Sequence, residues 1–260
     1  MRYAILSDIH GNSIALDAVL EHIETIGGVD GWCFVGDYAA IGYDPVGVLE
    51  RITRLPNAVY VRGNTERYIT RKNTLPPPSE EECRQNPDLI PIRVEVATGM
   101  AWTQGMITAA GWYEWVARLP LEVRFLLPDG KRVLLVHAAP GADDGEGIAI
   151  HHRDDDLRRI LHGCGADLVF VGHTHIALDK TIDGVRVVNL GSISNPLTTD
   201  LRASYVLLES STAGYKLAFQ RVDYDREAAI QRIQAVRHPA PDYLIDYMRG
   251  KNVKPTISKE

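Results

Sequence analysis

The stretch FVGHTHI, residues 170–176, sets His173 and His175 one residue apart, directly after an apolar run that ends in Gly172. In an extended segment residues i and i+2 point to one face, so the two imidazoles are expected to aim at a common point, as metal ligands do. Taken alone, the tetrapeptide GHTH reads equally well as polar residues in a solvated turn. Its meaning therefore depends on what stands at the ends of the other strands.

An apolar, β-branched run that stops at a polar or glycine-containing turn recurs along the chain. Residues 2–7 (RYAILS), 30–36 (DGWCFVG) and 58–64 (AVYVRGN) read as strands. An amphipathic helix from Ser13, capped by Asn12 or Ser13, and a second helix opened by Asp44 and Pro45 lie between them. This β-α-β-α-β opening predicts an α/β fold. Prolines at 76, 77, 78 and 87 are expected to forbid a regular element across 73–88, within a mostly helical insertion at about 67–120. Strand patterns then resume as hairpins around PDG (128–130) and around Asp183 and Gly184, with a helix near DDDLRRIL between them, and as ASYVLLE and YKLAFQRV. A last helix near 225–236 and a polar stretch make up a C-terminal tail at about 224–260, and the whole, 1–260, is expected to be one domain.

Acidic residues outnumber basic ones 34 to 28, a formal net charge of -6. A protein that tracks a nucleic-acid backbone usually carries a basic stripe, so no polymeric nucleic acid is expected as partner. Cys33, Cys83 and Cys164 are too few and too scattered for a disulfide framework or a zinc knuckle, and read as reduced thiols. The N-terminal MRYAILSDIHGN lacks the apolar core and small-residue cleavage site of a signal peptide, and no apolar run approaches the ~18 residues of a membrane span. A cytoplasmic protein with no membrane contact is the expectation.

Five segments follow strand patterns directly: SDIHGN (7–12), VGDYAA (35–40), RGNTE (62–66), LVHAA (135–139) and GHTH (172–175). In open α/β sheets ligands bind beyond the carboxyl ends of the strands, so these segments are expected to converge. They carry Asp8, His10, Asp37, Asn64, His137, His173 and His175. A mixed oxygen and nitrogen set suits Mn, Fe, Co or Zn better than Ca. Seven side chains are too many for one tetrahedral ion, whereas two ions sharing a bridging carboxylate accommodate them.

In these motifs the chain resembles the calcineurin-like metallophosphoesterase superfamily, whose ordered signature is D-x-H, G-D, G-N-H-[DE], a lone His, and G-H-x-H. SDIHGN, GNTE, the AWTQ stretch before ARLP, and VNLGSISNP look like its bacterial predicted-phosphodiesterase branch, related to diadenosine tetraphosphatases. The resemblance implies a four-layer α-β-β-α sandwich, two mixed β-sheets flanked by helices, with the helical insertion added. It implies one divalent transition-metal ion (Mn, Fe, Zn, Co or Ni) on Asp8, His10, Asp37 and His175. A second ion would sit on Asp37, Asn64, His137 and His173, with Asp37 bridging. A small-molecule or nucleotide phosphodiester or anhydride would be hydrolysed by a metal-activated bridging hydroxide, so that these seven residues are both metal ligands and the catalytic set.

Two departures matter. Thr65 stands where many members have a histidine that protonates the leaving oxygen, and a threonine hydroxyl is too weak an acid for that task; Glu66 stands for a frequent aspartate. His151 and His152 either substitute or are plain loop residues. GDYAAIG has Ile41 and Gly42 where Ser/Thr protein phosphatases carry a phosphate-gripping arginine, which disfavours a protein phosphomonoesterase. A non-catalytic scaffold is the other alternative, disfavoured because no ligand is missing. Trp102, Trp112, Tyr113 and Trp115 of the insertion either pack onto the sheet or serve as a lid or as the contact of a homo-oligomer.

Overall fold

The computed structural model describes residues 1–71 and 77–253. β1 (Arg2–Leu6), β2 (Gly31–Val35) and β3 (Ala58–Val61) run parallel, connected by α1 (Ser13–Thr25) and α2 (Pro45–Thr53). β9 (Ala203–Ser211) and β10 (Gly214–Val222) extend this sheet antiparallel, in the order β10-β9-β1-β2-β3. In the second sheet β5 (Arg132–Val136), β6 (Leu168–Val171) and β8 (Val185–Asn189) are parallel. The antiparallel strands β4 (Glu122–Leu126) and β7 (Leu178–Ile182) flank them, giving β4-β5-β6-β8-β7.

Strand alternation sorts the side chains into layers. Ala4, Leu6, Trp32 and Phe34 face Leu16, Val19 and Ile23 of α1 and Val48, Leu49 and Ile52 of α2. Ile5, Cys33, Val35 and Val206 face the other way and meet Leu135, Phe170 and Val188 of the second sheet. The far side of that sheet, with Leu134, Val136, Val169 and Val171, is covered by Leu157 and Leu161 of α7 (Asp154–Leu161). The order is thus α-β-β-α, and β2 and β6, buried along their whole length, need apolar residues on both faces. Phe170 is fully buried between the sheets, where truncation to alanine costs about 3–5 kcal/mol.

Local chemistry sets the boundaries. Asn12 caps α1 by accepting from the Ala15 N–H at 3.0 Å, and Asp44 caps α2 by accepting from Gly47 at 3.0 Å, with Pro45 following. Asp183 and Gly184, at φ 49 and 85, make the tight turn of the β7–β8 hairpin.

The insertion holds α3 (Asn64–Thr70), α4 (Glu80–Gln85), α5 (Ile90–Ala109) and α6 (Tyr113–Ala117). Its aromatic residues pack inward. Trp112 and Trp115 join the first core cluster, with Trp115 edge-on to Tyr60 at 5.2 Å, and the Tyr113 hydroxyl donates to the Thr70 carbonyl at 2.6 Å. From Ser79 onward the proline-rich stretch is more regular than the sequence suggests. Ser79 and Glu82 form a reciprocal capping box that starts α4, and Pro87 sits at the start of a single 3-10 turn, Pro87–Leu89, where a missing N–H costs nothing. Pro76 lies outside the described residues. The tail also carries more structure than one helix. After α8 (Arg226–Ala235), α9 (Pro241–Met248) buries Leu244, Ile245 and Met248 against Ile230 and Ile233. Among the described residues no helix is long and apolar enough to cross a membrane.

Candidate metal centre

All seven candidate residues stand beyond the carboxyl ends of β1, β2, β3, β5 and β6, and the structure brings them together. The loops that carry them are laced by backbone hydrogen bonds: Asp8 N–H to Gly36 O at 3.1 Å, His10 N–H to Asp37 O at 3.0 Å, and Gly172 N–H to His137 O at 2.8 Å.

The expectation that His173 and His175 converge because they are extended is corrected. Both are left-handed, at φ 68 and 59, as are Asp8 (56), His10 (48) and Asp37 (57). Each such non-glycine residue costs roughly 1–2 kcal/mol, and a cluster of five marks a site that the surrounding fold over-determines. The left-handed turns send the two rings to different places. His175 Nε2 lies 3.1 Å from Asp8 Oδ1 and 3.1 Å from His10 Nε2. His173 Nδ1 lies 3.0 Å from Asn64 Oδ1, which is also 3.1 Å from His137 Nε2. Between the two groups, Asp37 Oδ2 is 3.7 Å from His10 Nε2 and 3.4 Å from His137 Nε2.

Outward hydrogen bonds fix which ring nitrogen faces inward. His10 Nδ1 pairs with the Ala40 carbonyl, His137 Nδ1 with Val35 O at 2.7 Å, His175 Nδ1 with Asn195 O at 2.7 Å, and His173 Nε2 with Gly145 O at 2.8 Å. Each carbonyl accepts a proton from its ring, so the other nitrogen presents a lone pair. Asp8 Oδ2 accepts from the His173 N–H at 3.1 Å, but Asp8 Oδ1 is buried with no hydrogen-bond partner. A carboxylate oxygen and two imidazole lone pairs facing one another fit a cation between them, because nothing else there donates. The residues of the site therefore fit divalent metal ions.

The charge balance agrees. Burial pushes the Asp8 carboxyl up, yet the His175, His10 and His137 rings outweigh it and hold Asp8 well below its usual range. Asp37 is buried as well and is drawn down to about 2, chiefly by His137. Burial disfavours charge on His10 and His137, but the two carboxylates win, raising His10 and taking His137 to about 10. Burial and His137 lower His173. Imidazoles bind a metal only in their neutral form, so metal binding at His10 and His137 would release protons.

Other residues hold the ligands, among them Thr65, Glu66 and the NLGS segment, whose supporting contacts are not readable from the sequence. The buried Glu66 carboxylate accepts from the backbone N–H groups of Gly63, Asp37 and Tyr38, each at 2.8 Å. Two signals point to it in the sequence, its place in the G-N-H-[DE] motif and the capping-box spacing three residues after Gly63. Thr65 donates its hydroxyl to Asp37 Oδ1 at 2.8 Å and its N–H to the same oxygen at 3.0 Å. Ser192 donates to Asp8 O at 2.9 Å and accepts from Asn195 N–H at 2.8 Å, so that the NLGS segment steadies Asp8 and His175 together. His151 and His152 form a separate cluster with Glu146, with His151 Nε2 at 3.0 Å and His152 Nε2 at 3.5 Å from the same carboxylate oxygen. His152 Nδ1 accepts the Ala149 N–H at 3.0 Å, so its Nε2 carries a proton and is spent on that carboxylate.

An uncharacterized protein of Methanocaldococcus jannaschii is 27% identical over 256 residues, covering 93% of this chain and 94% of that protein. Among solved structures, a hypothetical protein of Pyrococcus horikoshii OT3 shares the fold with a TM-score of 0.79 at 22% identity, over 95% of this chain and 97% of its own. A metallophosphoesterase from Sphaerobacter thermophilus does so with a TM-score of 0.72 at 23% identity, over 96% of this chain and 98% of its own. The calcineurin-like phosphoesterase superfamily domain matches residues 1–213, a span that takes in both sheets as far as β9 and all seven candidate residues. By that match the chain belongs to the calcineurin-like phosphoesterase superfamily.

Proposed function

We propose that this protein is a dinuclear metal-dependent phosphodiesterase acting on a small-molecule or nucleotide phosphodiester or anhydride. The observation that carries the reading is the position of Asp37 Oδ2 between His10 and His137, beside the partnerless Oδ1 of Asp8. Asp8, His10, Asp37 and His175 would hold one ion and Asp37, Asn64, His137 and His173 the other. When bound, such ions acidify water and draw charge from the phosphoryl oxygens. The chain's own part is positioning. The outward-facing carbonyls keep four imidazole lone pairs aimed inward, and Glu66 and Thr65 hold the Asp37 loop so that one of its oxygens stays free.

Acid assistance is where this chain differs from many relatives. The Thr65 proton is committed to Asp37, and burial keeps His238, which lines a cavity shared with His10, Asp37 and Asn64, below its ordinary pKa and neutral. A leaving oxygen must then depart largely unprotonated, which favours diesters and anhydrides with stable leaving groups over alkyl phosphates. Rates on aryl methyl phosphates of graded leaving-group pKa should fall steeply as that pKa rises, and a flat dependence refutes the reading. Asp37→Ala and His173→Ala should each abolish metal-dependent hydrolysis, whereas a scaffold would hydrolyse nothing before or after the change. A Ser/Thr-type phosphatase is disfavoured by the cavity beside the site, which among the described residues has neither Arg nor Lys in its lining.

A further inference from the structure

A cavity of about 230 Å³ is lined on one part by His10, Asp37, Asn64, His173 and His175. Its far wall comes from the two parts of the chain added to the sandwich: Glu95, Val96 and Met100 of α5, and Tyr243 and Tyr247 of α9. His238 ties these parts together, stacked edge-on against Trp102 at 4.8 Å, with its Nδ1 accepting from Ala240 N–H at 3.1 Å. A phosphodiester whose phosphorus sits at the seven candidate ligands has one ester arm facing this space.

The chemistry of the wall is selective. Ile41, Val96 and Met100 make it apolar, and Tyr68, Tyr243 and Tyr247 make it aromatic. Tyr243 and Tyr247, one turn apart on α9, lie edge-to-face at 5.2 Å and 77°, with their hydroxyls 3.2 Å apart. Tyr68 is fixed by its hydroxyl, which donates to Asp144 at 2.5 Å. Apart from Asp37 among the candidate ligands, the one carboxylate in the lining among the described residues is Glu95, half-buried and, among those residues, without a hydrogen bond or an ion pair. It lies near enough to Tyr243 to add to the effect of burial, which raises that phenol. Neither Arg nor Lys lines the cavity among the described residues, so a second phosphate or a carboxylate on the ester arm would meet Glu95 with no cation of the described lining to neutralise it. A cation with an apolar skirt matches both the tyrosine-rich lining and the carboxylate.

Resting on the phosphodiesterase reading, we propose that the cavity selects an alkylammonium group on the ester arm, so that the preferred substrates are zwitterionic phosphodiesters, anionic at the metal ligands and cationic at Glu95 and the α9 tyrosines.

The test compares three diesters with the same p-nitrophenolate leaving group on the full chain loaded with manganese. Their second arms are choline, its uncharged isostere 3,3-dimethylbutanol, and a carboxylate-bearing alcohol of similar length. The expected kcat/KM for the choline diester is about tenfold above the isostere, with the anionic ester slowest. Glu95→Gln and, separately, Tyr243→Leu should bring the first ratio close to one. A choline ratio of one or below in the unaltered chain overturns the proposal while leaving the phosphodiesterase reading intact. If none of the three is hydrolysed, that reading fails instead, and calorimetric titration of the metal-free chain decides the cavity by itself. Choline binding about tenfold tighter than 3,3-dimethylbutanol then supports the proposal, and equal binding overturns it.

Discussion

The ε-nitrogens of His10 and His175 face each other at 3.1 Å, next to a buried oxygen of Asp8 that has no hydrogen-bond partner. Both rings spend their δ-nitrogens on backbone carbonyls, so two lone pairs and a carboxylate oxygen converge on one point. Such a cluster is costly unless a proton or a cation fills it. Stripping the protein with a strong chelator should therefore lower its thermal midpoint, and manganese should restore it. An ion at a hundredfold its dissociation constant contributes about 2.7 kcal/mol. His175→Ala should remove much of that response. Scanning fluorimetry with and without metal measures it, and a midpoint indifferent to chelation and re-addition counts against the metal site.

Gly172 lies where backbone meets ligand. A Cβ there would sit 2.1 Å from Ser7 Oγ and 2.3 Å from Asp8 Oδ2, far inside van der Waals contact. Gly172→Ala should displace Asp8, costing roughly 1–3 kcal/mol of stability and most of the metal affinity. Metal content per chain after gel filtration, measured alongside urea unfolding, tests this; full metal occupancy in the variant would contradict it.

Asp143, nearly buried, accepts from Arg62 Nε at 2.6 Å and from Arg67 Nε at 2.9 Å, while Asp144 accepts from Arg67 Nη2 at 2.6 Å. This clamp joins the start of α3, which carries Asn64, to the loop whose Gly145 carbonyl orients His173. Asp143→Ala leaves two guanidiniums without this carboxylate and should destabilise by roughly 3–5 kcal/mol. The isosteric Asp143→Asn should retain more stability yet still lower turnover, by loosening His173. A variant with wild-type kcat would show that the loop does not depend on the clamp.

A pH effect is expected far from the metal centre. The Arg132 guanidinium and its backbone N–H hold Asp167 down to about 2, against an ordinary 3.8. Because the folded value is the lower one, the carboxylate stabilises the fold fully above about pH 4 and loses that contribution as pH falls towards 2. Wild-type and Asp167→Asn midpoints should therefore differ at pH 6 and draw together at pH 3. A gap that stays constant or widens on acidification would rule out this linkage. Because the pair is largely exposed, the gap should be modest and should shrink in salt.

Much of this architecture is legible in the linear chain because strand and helix periods are local properties. Ile5 and Leu6 face opposite layers simply because side chains alternate, and Asn12 and Asp44 announce their helices by capping chemistry. α9 is harder to read, since its apolar residues acquire meaning only against α8. The α4 capping box is obscured in the sequence by the prolines on either side of it.

The candidate ligands could be picked out by type and by their place after apolar runs, since chemistry resides in side chains and strands end where polarity begins. Their geometry could not. Positive φ at Asp8, His10, Asp37, His173 and His175, the separate destinations of His173 and His175, and the support from Glu66 all depend on loops pressed together from strands up to 165 residues apart. The cavity walled by Glu95 and Tyr243 is likewise invisible in sequence. Local patterns specify elements, whereas a site is made by contacts between elements, and those exist only once the two sheets have packed.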